Sequence, residues 1–139
     1  MKKNILVLCT GNSCRSQMAH GYLQHLAGNK ATVYSAGIEV HGLNPFAVGI
    51  MTEDGIDITK HTSNHVDEYN DINFDFVITV CDHAHESCPI FPSTATKLHH
   101  NFKDPSKTSG TATEVMEAFR KTRDDIKDYC LTFVREHLM

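Results

Sequence analysis

The chain has 139 residues, 40% of them hydrophobic, which is enough for one domain over residues 1–139 with its own buried core. This composition excludes a disordered chain and a collagen-like repeat. The formal net charge of −4 gives no long-range attraction to nucleic acid or to an anionic membrane surface, so we expect neither as a partner. Any anion bound by this protein must therefore be captured by local geometry.

The first predicted elements are a strand, a helix and a second strand. Residues 5–8 form a continuous apolar run that is typical of a strand buried on both faces of a parallel sheet. Apolar residues at helical spacing over 16–26 predict the first helix, and Gly28 predicts its end. Residues 32–36 predict the second strand.

The remaining elements continue the alternation. Pro45 predicts the first turn of a second helix, with Gly55 as its C-cap. Residues 75–80 predict a third strand, residues 97–102 a fourth, and a long amphipathic helix runs from Gly110 to the C-terminus. Strands that alternate with helices predict a single-domain α/β fold with a doubly wound, four-stranded parallel sheet flanked by helices.

The apolar run near the N-terminus bears on the cellular compartment. Residues 5–8 are too few for the hydrophobic region of a signal peptide or for a membrane span. We therefore expect a cytoplasmic protein that contacts no membrane. In a reducing compartment, the five cysteines are more often catalytic, redox-active or metal-binding than joined in structural disulfides.

Two of the cysteines follow predicted strands. Cys9 comes directly after the first strand and Cys81 directly after the third. Ligands of open parallel sheets bind beyond the carboxyl ends of the strands. Both thiols are therefore expected to face the same cleft.

Cys9 also begins a C-x5-R-S motif that leads into the first helix. Backbone N–H groups around a helix N-terminus form a nest for a tetrahedral oxyanion, and Arg15 adds a guanidinium that binds two of its oxygens. The same positive potential is expected to lower the pKa of Cys9, with Ser16 donating a hydrogen bond to the thiolate. Asn12 tolerates the left-handed backbone of a tight loop. The predicted oxyanion-binding residues are Thr10, Gly11, Asn12, Ser13, Cys14 and Arg15.

Four stretches carry a resemblance to a known family: residues 9–19, 34–39, 41–45 and 55–58. The order and spacing of these stretches resemble those of the low-molecular-weight protein tyrosine phosphatase superfamily. The sequence is more closely similar to the thioredoxin-coupled arsenate reductases of that superfamily. The likeness covers nearly the whole chain, and the pair Cys81 and Cys88 favours the reductases, since a dithiol supplies the two electrons that arsenate reduction needs.

The resemblance implies a relay of three cysteines. Cys9 attacks arsenate while Asp104 protonates the departing oxygen, and Cys81 then attacks Cys9 and releases arsenite. Cys88 next forms a redox disulfide with Cys81, which thioredoxin reduces. The implied partners are an arsenate- or phosphate-type oxyanion and thioredoxin, with glutaredoxin as the alternative electron donor, and no resident cofactor is expected.

Two other functions stay open at the level of sequence. A phosphatase for phosphomonoesters would use the same Cys9 and Arg15, although the family's tyrosine pair after the Asp-Pro is replaced here by Ser106 and Lys107. A non-enzymatic thiol redox sensor or zinc-binding module would use the segment that contains Cys81, His83, His85 and Cys88. Surface histidines are the ordinary interpretation of His83 and His85.

Some related reductases bind potassium through an Asn, a Glu, a Ser and an Asp. Asn12 and Ser35 match, but His20 and Asn64 stand where the two carboxylates would be. Because a hard cation prefers anionic oxygen ligands, we expect no metal site here. His20 is expected to be an exposed residue of the helix face, with a protonated stand-in for the cation as the alternative.

The other assignments concern packing and assembly. Cys14 and Cys130 are expected to be packed small residues, the latter on the apolar stripe of the final helix. Residues 62–63, with the acidic pair 67–68 following, are expected to cap a helix. We expect a monomer.

Overall fold

The computed structural model describes residues 2–82, 84 and 95–139. The predicted alternation of strands and helices is confirmed over this part of the chain. The strands are β1 (Lys3–Cys9), β2 (Ala31–Gly37), β3 (Phe76–Thr79) and β4 (Thr96–His99), and the helices are α1 (Arg15–Ala27), α2 (Pro45–Glu53) and α3 (Ala112–His137).

The four strands form one parallel sheet in the order β2-β1-β3-β4. The central strand β1 is apolar along most of its length because it is covered on both faces, as the run at 5–8 predicted. Within the described ranges, none of the helices has the length and apolarity that a membrane span requires. The predicted doubly wound α/β fold is confirmed.

The two faces of the sheet pack against different partners. Phe76 of β3 meets Phe133 of α3 edge to face, with the ring centroids 5.1 Å apart. Tyr34 of β2 points to the opposite face, where its ring packs against Tyr69 and Phe74. Since β1 lies between these layers, the strand end that carries Cys9 is held on both sides.

The helix ends follow from local residue chemistry, with one difference from the prediction. Gly28 ends α1 with a φ of 57°, a left-handed conformation that suits glycine. Asn44 caps α2 by accepting hydrogen bonds from the N–H groups of Phe46 and Ala47. The C-cap of α2 is Asp54 rather than Gly55, which follows it with a φ of 78°.

The predicted helix cap in the segment after α2 lies further along the chain than expected. His65 precedes a short 3₁₀ helix, Val66–Tyr69, and its ring nitrogen accepts from a backbone N–H while Glu68 accepts from the N–H of His65. The hydroxyl of Ser63 instead donates to the carbonyl of Gly11 at 3.1 Å. This segment therefore supports the loop after β1 rather than starting a helix at that point.

Candidate active site

The base of the site is the junction between β1 and α1. Cys9 is the last residue of β1 and is 3% exposed, and α1 begins at Arg15. Cys14 at the N-cap makes no capping hydrogen bond with its side chain, and the first turn of α1 contains no acidic residue. The positive end of the helix dipole is therefore left open to a bound anion.

The loop between Cys9 and Arg15 is fixed from outside through its carbonyl groups. The carbonyls of Cys9, Thr10, Gly11 and Ser13 accept hydrogen bonds from the N–H groups of Ile38, Glu39, His41 and Asn44. No hydrogen bond within the described residues uses the N–H groups of residues 11–14. Because the C=O and N–H of one peptide unit point in opposite directions, outward carbonyls turn these N–H groups inward.

Gly37 allows the loop to approach β2 closely. A Cβ atom at this position would lie 2.8 Å from the N atom of Asn12 and 2.8 Å from the carbonyl oxygen of Thr10. Both neighbours are backbone atoms, which have no room to move aside. A side chain at Gly37 would therefore displace the loop.

Asn12 holds the shape of the loop. It has a φ of 49°, the left-handed conformation expected from the sequence. Its Oδ1 accepts from the N–H of Asn64 and its Nδ2 donates to Ser16 Oγ, both at 2.8 Å, while its carbonyl accepts from Gln17. The predicted hydrogen bond from Ser16 to Cys9 is not among those of the described residues; the Ser16 oxygen accepts from Asn12 Nδ2.

Arg15 is partly committed to the protein and partly free for a ligand. Its Nη1 donates to the carbonyl of Phe102 at 3.0 Å, and its Nη2 lies 3.5 Å from Asp104 Oδ2. Its Nε is buried and has no hydrogen-bond partner within the described residues. An unpaired buried donor is costly, so a ligand that accepts from it is strongly favoured.

These groups enclose a cavity of about 250 Å³. Residues 9–11 and 13–15 line it together with Asp104, Ser106, Lys107 and His41. Of the predicted oxyanion-binding residues, only Asn12 does not face this cavity, because its side chain is fully buried behind the loop. The side chain of Asn12 therefore shapes the loop from behind, while its backbone N–H belongs to the inward set.

Asp104 lies where a proton donor would be needed. Its Oδ1 accepts from the backbone N–H and the hydroxyl of Ser106, at 3.0 and 2.6 Å. Partial burial raises the pKa of this carboxyl, but the hydrogen bonds from Ser106 and the charge of Arg15 outweigh burial and leave the pKa below its ordinary value. Asp104 is therefore ionised at neutral pH.

The structure brings Cys81 against Cys9 as predicted from the strand ends. The Cys81 Sγ lies 3.2 Å from Thr10 Oγ1 and accepts from the N–H of Ala84 at 3.4 Å. A hydrogen bond from the Cys9 thiol, followed by these contacts and the charge of Arg15, lowers the pKa of Cys81 to about 5 despite burial.

The contact with Cys81 opposes the expected lowering of the Cys9 pKa. The hydrogen bond to Cys81 and burial raise the pKa of Cys9, and the charge of Arg15 only partly compensates. The two thiols therefore titrate as a pair that shares one proton. The sequence predicted that both thiols face one cleft; in the structure Cys9 lines the cavity, whereas Cys81 packs against Cys9 and is not one of the lining residues.

The other cysteines divide between the cavity and the core. Cys14 is buried as expected and also faces the cavity, where its thiol contacts Asp104 Oδ1 at 3.8 Å. Burial raises the pKa of this thiol to about 12. Cys130 is fully buried in the core, as predicted. The predictions for Cys88, His83 and His85 lie outside the described residues.

His20 differs most from its prediction. It is not exposed: its Nδ1 lies 2.8 Å from Ser35 Oγ, and its ring stacks on that of His61 at a centroid distance of 4.2 Å. Burial and the neighbouring His61 lower the pKa of His20 to about 3. The ring is therefore neutral and cannot stand in for a cation.

The histidine pair is linked to the loop through a residue that sequence reasoning missed. Gln17 binds His61 Nδ1 through its Oε1 at 3.0 Å and donates through its Nε2 to the carbonyls of Asn12 and Thr62, both at 3.0 Å. The only signal available in the sequence was its place directly after the C-x5-R-S motif. The ring of His41 is a second omission: it lies so close to Gly11 that a Cβ there would be 2.2 Å from its Nδ1.

The residues that match the potassium ligands of some relatives do not fit a hard cation. The side-chain oxygen of Asn12 accepts from Asn64, and the hydroxyl of Ser35 is engaged by the neutral His20. In the part of the chain that the structure describes, no group of three His, Cys, Asp or Glu side chains is arranged to hold a metal.

Comparison with known proteins agrees with this geometry. The family described as low molecular weight phosphotyrosine protein phosphatase matches residues 4–138, and the chain belongs to that family of enzymes. Within it, the chain is 48% identical over 132 residues to the arsenate reductase of Halalkalibacterium halodurans, covering 95% of each protein.

Solved structures give the same relationship. An arsenate reductase in its oxidized state superposes with a TM-score of 0.83 at 29% identity, covering 96% of this chain and 98% of that one. An arsenate reductase in the phosphate binding state superposes with a TM-score of 0.78 at 30% identity and the same coverage. The family and fold inferred from the sequence are confirmed.

Proposed function

We propose that this protein reduces arsenate to arsenite, with Cys9 as the nucleophile. The observation that supports the proposal is the second thiol, Cys81, which is buried against Cys9, while Cys9 itself lines the cavity. Hydrolysis of a phosphate ester needs one nucleophile, whereas reduction of As(V) to As(III) needs two electrons, which two thiols supply on forming a disulfide. The curated relatives that carry this name support the assignment.

In the first step, the loop N–H groups and Arg15 hold arsenate against Cys9. The proton that Cys9 shares with Cys81 moves to Cys81, and the Cys9 sulfur forms a bond to arsenic. One arsenate oxygen leaves as water, with Asp104 as the final proton donor. The negative charge of the bound oxyanion raises the pKa of Asp104 and so favours uptake of that proton.

In the second step, Cys81 loses its proton to solvent or product and attacks the Cys9 sulfur. The bond between Cys9 and arsenic breaks, and its electron pair stays on arsenic, which leaves as arsenite. The two sulfurs are left in a disulfide, so two thiols are oxidised while As(V) is reduced to As(III). Thr10, the N–H of Ala84 and the charge of Arg15 lower the pKa of Cys81 and stay beside it in this step, which favours the thiolate needed for the attack.

The third step restores Cys9. Cys88 attacks Cys81, which releases Cys9 as a thiolate and moves the disulfide to Cys81 and Cys88, where the dithiol of thioredoxin reduces it. Cys88 lies outside the described residues, so this step is supported by the sequence and by the resemblance alone. No resident cofactor is needed in this proposal, because thioredoxin supplies the electrons.

A phosphatase activity is the second candidate, because Cys9, Arg15 and Asp104 are the groups that hydrolysis of a phosphomonoester would use. The cavity is bordered by Ser106 and Lys107, which offer no aromatic surface to a phenyl ring. We therefore expect any phosphatase activity to be weak and to accept small substrates.

The deciding experiment is arsenate-dependent oxidation of NADPH in the presence of thioredoxin and thioredoxin reductase. We expect Cys9→Ser, Cys81→Ser and Cys88→Ser each to abolish multiple turnover, while the core variant Cys130→Ala retains it. Phosphatase activity should be lost only in the Cys9 variant. Normal turnover by Cys81→Ser, or no arsenite from the wild-type protein, would contradict the proposal.

A further inference from the structure

The residue after Cys81 is tied to the neighbouring strand by a histidine. His99 ends β4, and its ring lies between two side chains: Nδ1 is 2.7 Å from Thr79 Oγ1 and Nε2 is 2.9 Å from Asp82 Oδ1. A carboxylate only accepts hydrogen bonds, so the proton of the ring is on Nε2 and, in the neutral ring, Nδ1 accepts from the Thr79 hydroxyl. The ring is thus fixed at both nitrogens.

A second contact holds the backbone of the same residue. The N–H of Asp82 donates to the side-chain oxygen of Asn101 at 3.0 Å. Asp82 is therefore held through its side chain by His99 and through its backbone by Asn101. Both anchoring residues lie at or just beyond the end of β4, and the register pairs His99 directly with Thr79 of β3.

These contacts bear on the position of the Cys81 sulfur. The β-ladder of β3 ends at Thr79, and backbone hydrogen bonds continue through Val80, which pairs with Leu8 and Phe102. Cys81 follows directly after Val80, so its N-terminal side is held by the sheet. The sulfur contacts Thr10 Oγ1 at 3.2 Å, the N–H of Ala84 at 3.4 Å and the thiol of Cys9, the group with which it reacts in the proposed second step. The residue on the C-terminal side of Cys81 is fixed chiefly by His99 and Asn101.

We propose that His99 and Asn101 are positioning residues that hold Asp82, and through it the Cys81 sulfur, in line for attack on Cys9. The inference rests on the proposed function, because it concerns the step in which the Cys9–Cys81 disulfide forms and arsenite leaves. Binding of arsenate takes place in the loop and does not involve this anchor. The anchor therefore acts on the rate of the second step and not on affinity for the oxyanion.

The step can be isolated in a Cys88→Ser background, where each reduced molecule releases one arsenite and stops at the Cys9–Cys81 disulfide. Rapid acid quench followed by arsenic speciation gives the single-turnover rate as a function of arsenate concentration. We expect His99→Ala and Asn101→Ala each to lower the maximal rate about tenfold, since small displacements of a reacting group are costly. The arsenate concentration at half-maximal rate should not change.

Two comparisons distinguish positioning from a general effect on folding. His100→Ala is the matched control, because His100 is the next residue and its ring packs on Phe102 and Tyr129 instead of Asp82. Asp82→Asn keeps an oxygen that accepts from His99 and should retain most of the rate, whereas Asp82→Ala should lose it. The double variant His99→Ala/Asp82→Ala should be no slower than either single variant.

The outcomes separate the two proposals. If the Cys88→Ser parent releases no arsenite, arsenate reduction itself is wrong. If the parent releases arsenite and His99→Ala and Asn101→Ala match it in rate, the anchor is wrong while the reduction stands. A change in the half-saturating arsenate concentration, or losses that add in the double variant, would also overturn the positioning role.

Discussion

The two cysteines that contact each other, Cys9 and Cys81, are supported in opposite ways. The loop after Cys9 is held by backbone hydrogen bonds from the segment 38–44 and by the fully buried side chain of Asn12. The chain around Cys81 is held by Asp82, whose side chain is 69% exposed, and by its contacts with His99 and Asn101. Buried hydrogen bonds are costly to break, whereas exposed ones exchange readily with water.

This difference matches what each sulfur must do in the proposed reaction. Cys9 has to remain at the base of one fixed oxyanion nest in every turnover, since electrostatic stabilisation depends on donors that do not reorganise. Cys81 has to face Cys9 in one step and pair with Cys88 in the next. A rigid support suits the first sulfur, and a support that opens at low cost suits the second.

The largest expected effect concerns Arg15, which adjoins the rigidly held loop after Cys9. The guanidinium of Arg15 donates to the carbonyl of Phe102 and leaves its Nε free for a ligand. Arg15→Lys puts a single ammonium group in its place. We expect kcat/KM for arsenate to fall by about two to three orders of magnitude, the usual cost of losing an oxyanion donor. Arg123→Lys is the control, since Arg123 also donates to a carbonyl, that of Ile50, away from the cavity. Equal activity in both variants would contradict this role.

The next prediction compares the two supports directly. Asn12→Gly preserves the φ of 49° but removes the side-chain hydrogen bonds to Asn64 and Ser16. Urea unfolding should show a loss of about 2–4 kcal/mol, because two buried groups lose their partner. Asn101→Gly, on the exposed side, should cost less than about 1 kcal/mol. Similar losses would remove the contrast between the two regions.

A titration tests where the charge of the thiol pair lies. In the reduced wild-type protein, ultraviolet absorbance of thiolate should show one group with a pKa of about 5, which is Cys81. In Cys81→Ser, the pKa of Cys9 should be lower than in the wild type, because the hydrogen bond and negative charge that raise it are gone while Arg15 remains. Cys130→Ala should leave the first titration in place. An unchanged titration in Cys81→Ser would assign the charge to Cys9.

A smaller effect concerns stability in acid. His20 has a pKa of about 3 in the fold, against an ordinary value of 6.5. Below pH 6.5 the unfolded chain binds a proton that the folded chain does not, so stability falls by up to about 1.4 kcal/mol per pH unit down to about pH 3. Unfolding of His20→Gln at several pH values should lack this component. His25→Gln, on the exposed face of the same helix, should keep it.

The last prediction is that potassium has no specific effect on thermal stability. The oxygens of Asn12 and Ser35 are already hydrogen-bonded, and His20 takes the place of a carboxylate. Thermal unfolding in potassium and in sodium at equal ionic strength should therefore give the same midpoint. Stabilisation specific to potassium would show that this side of the loop opens to accept a cation.

The sequence by itself determined the features that arise from local patterns. Apolar periodicity predicted the strands and helices, and the C-x5-R-S motif between β1 and α1 predicted the oxyanion loop with its left-handed Asn12. These features depend on residues close together in the chain, where backbone preferences and the period of side chains decide the structure.

Only the tertiary structure decided the contacts between distant residues. The proton shared by Cys9 and Cys81, the stack of His20 on His61 and the anchor between His99 and Asp82 each join segments that are separate in sequence. The pKa of a side chain depends on burial and on the charges that folding brings near it. The sequence therefore predicted the oxyanion loop, and the fold decided which side chains come into contact and titrate together.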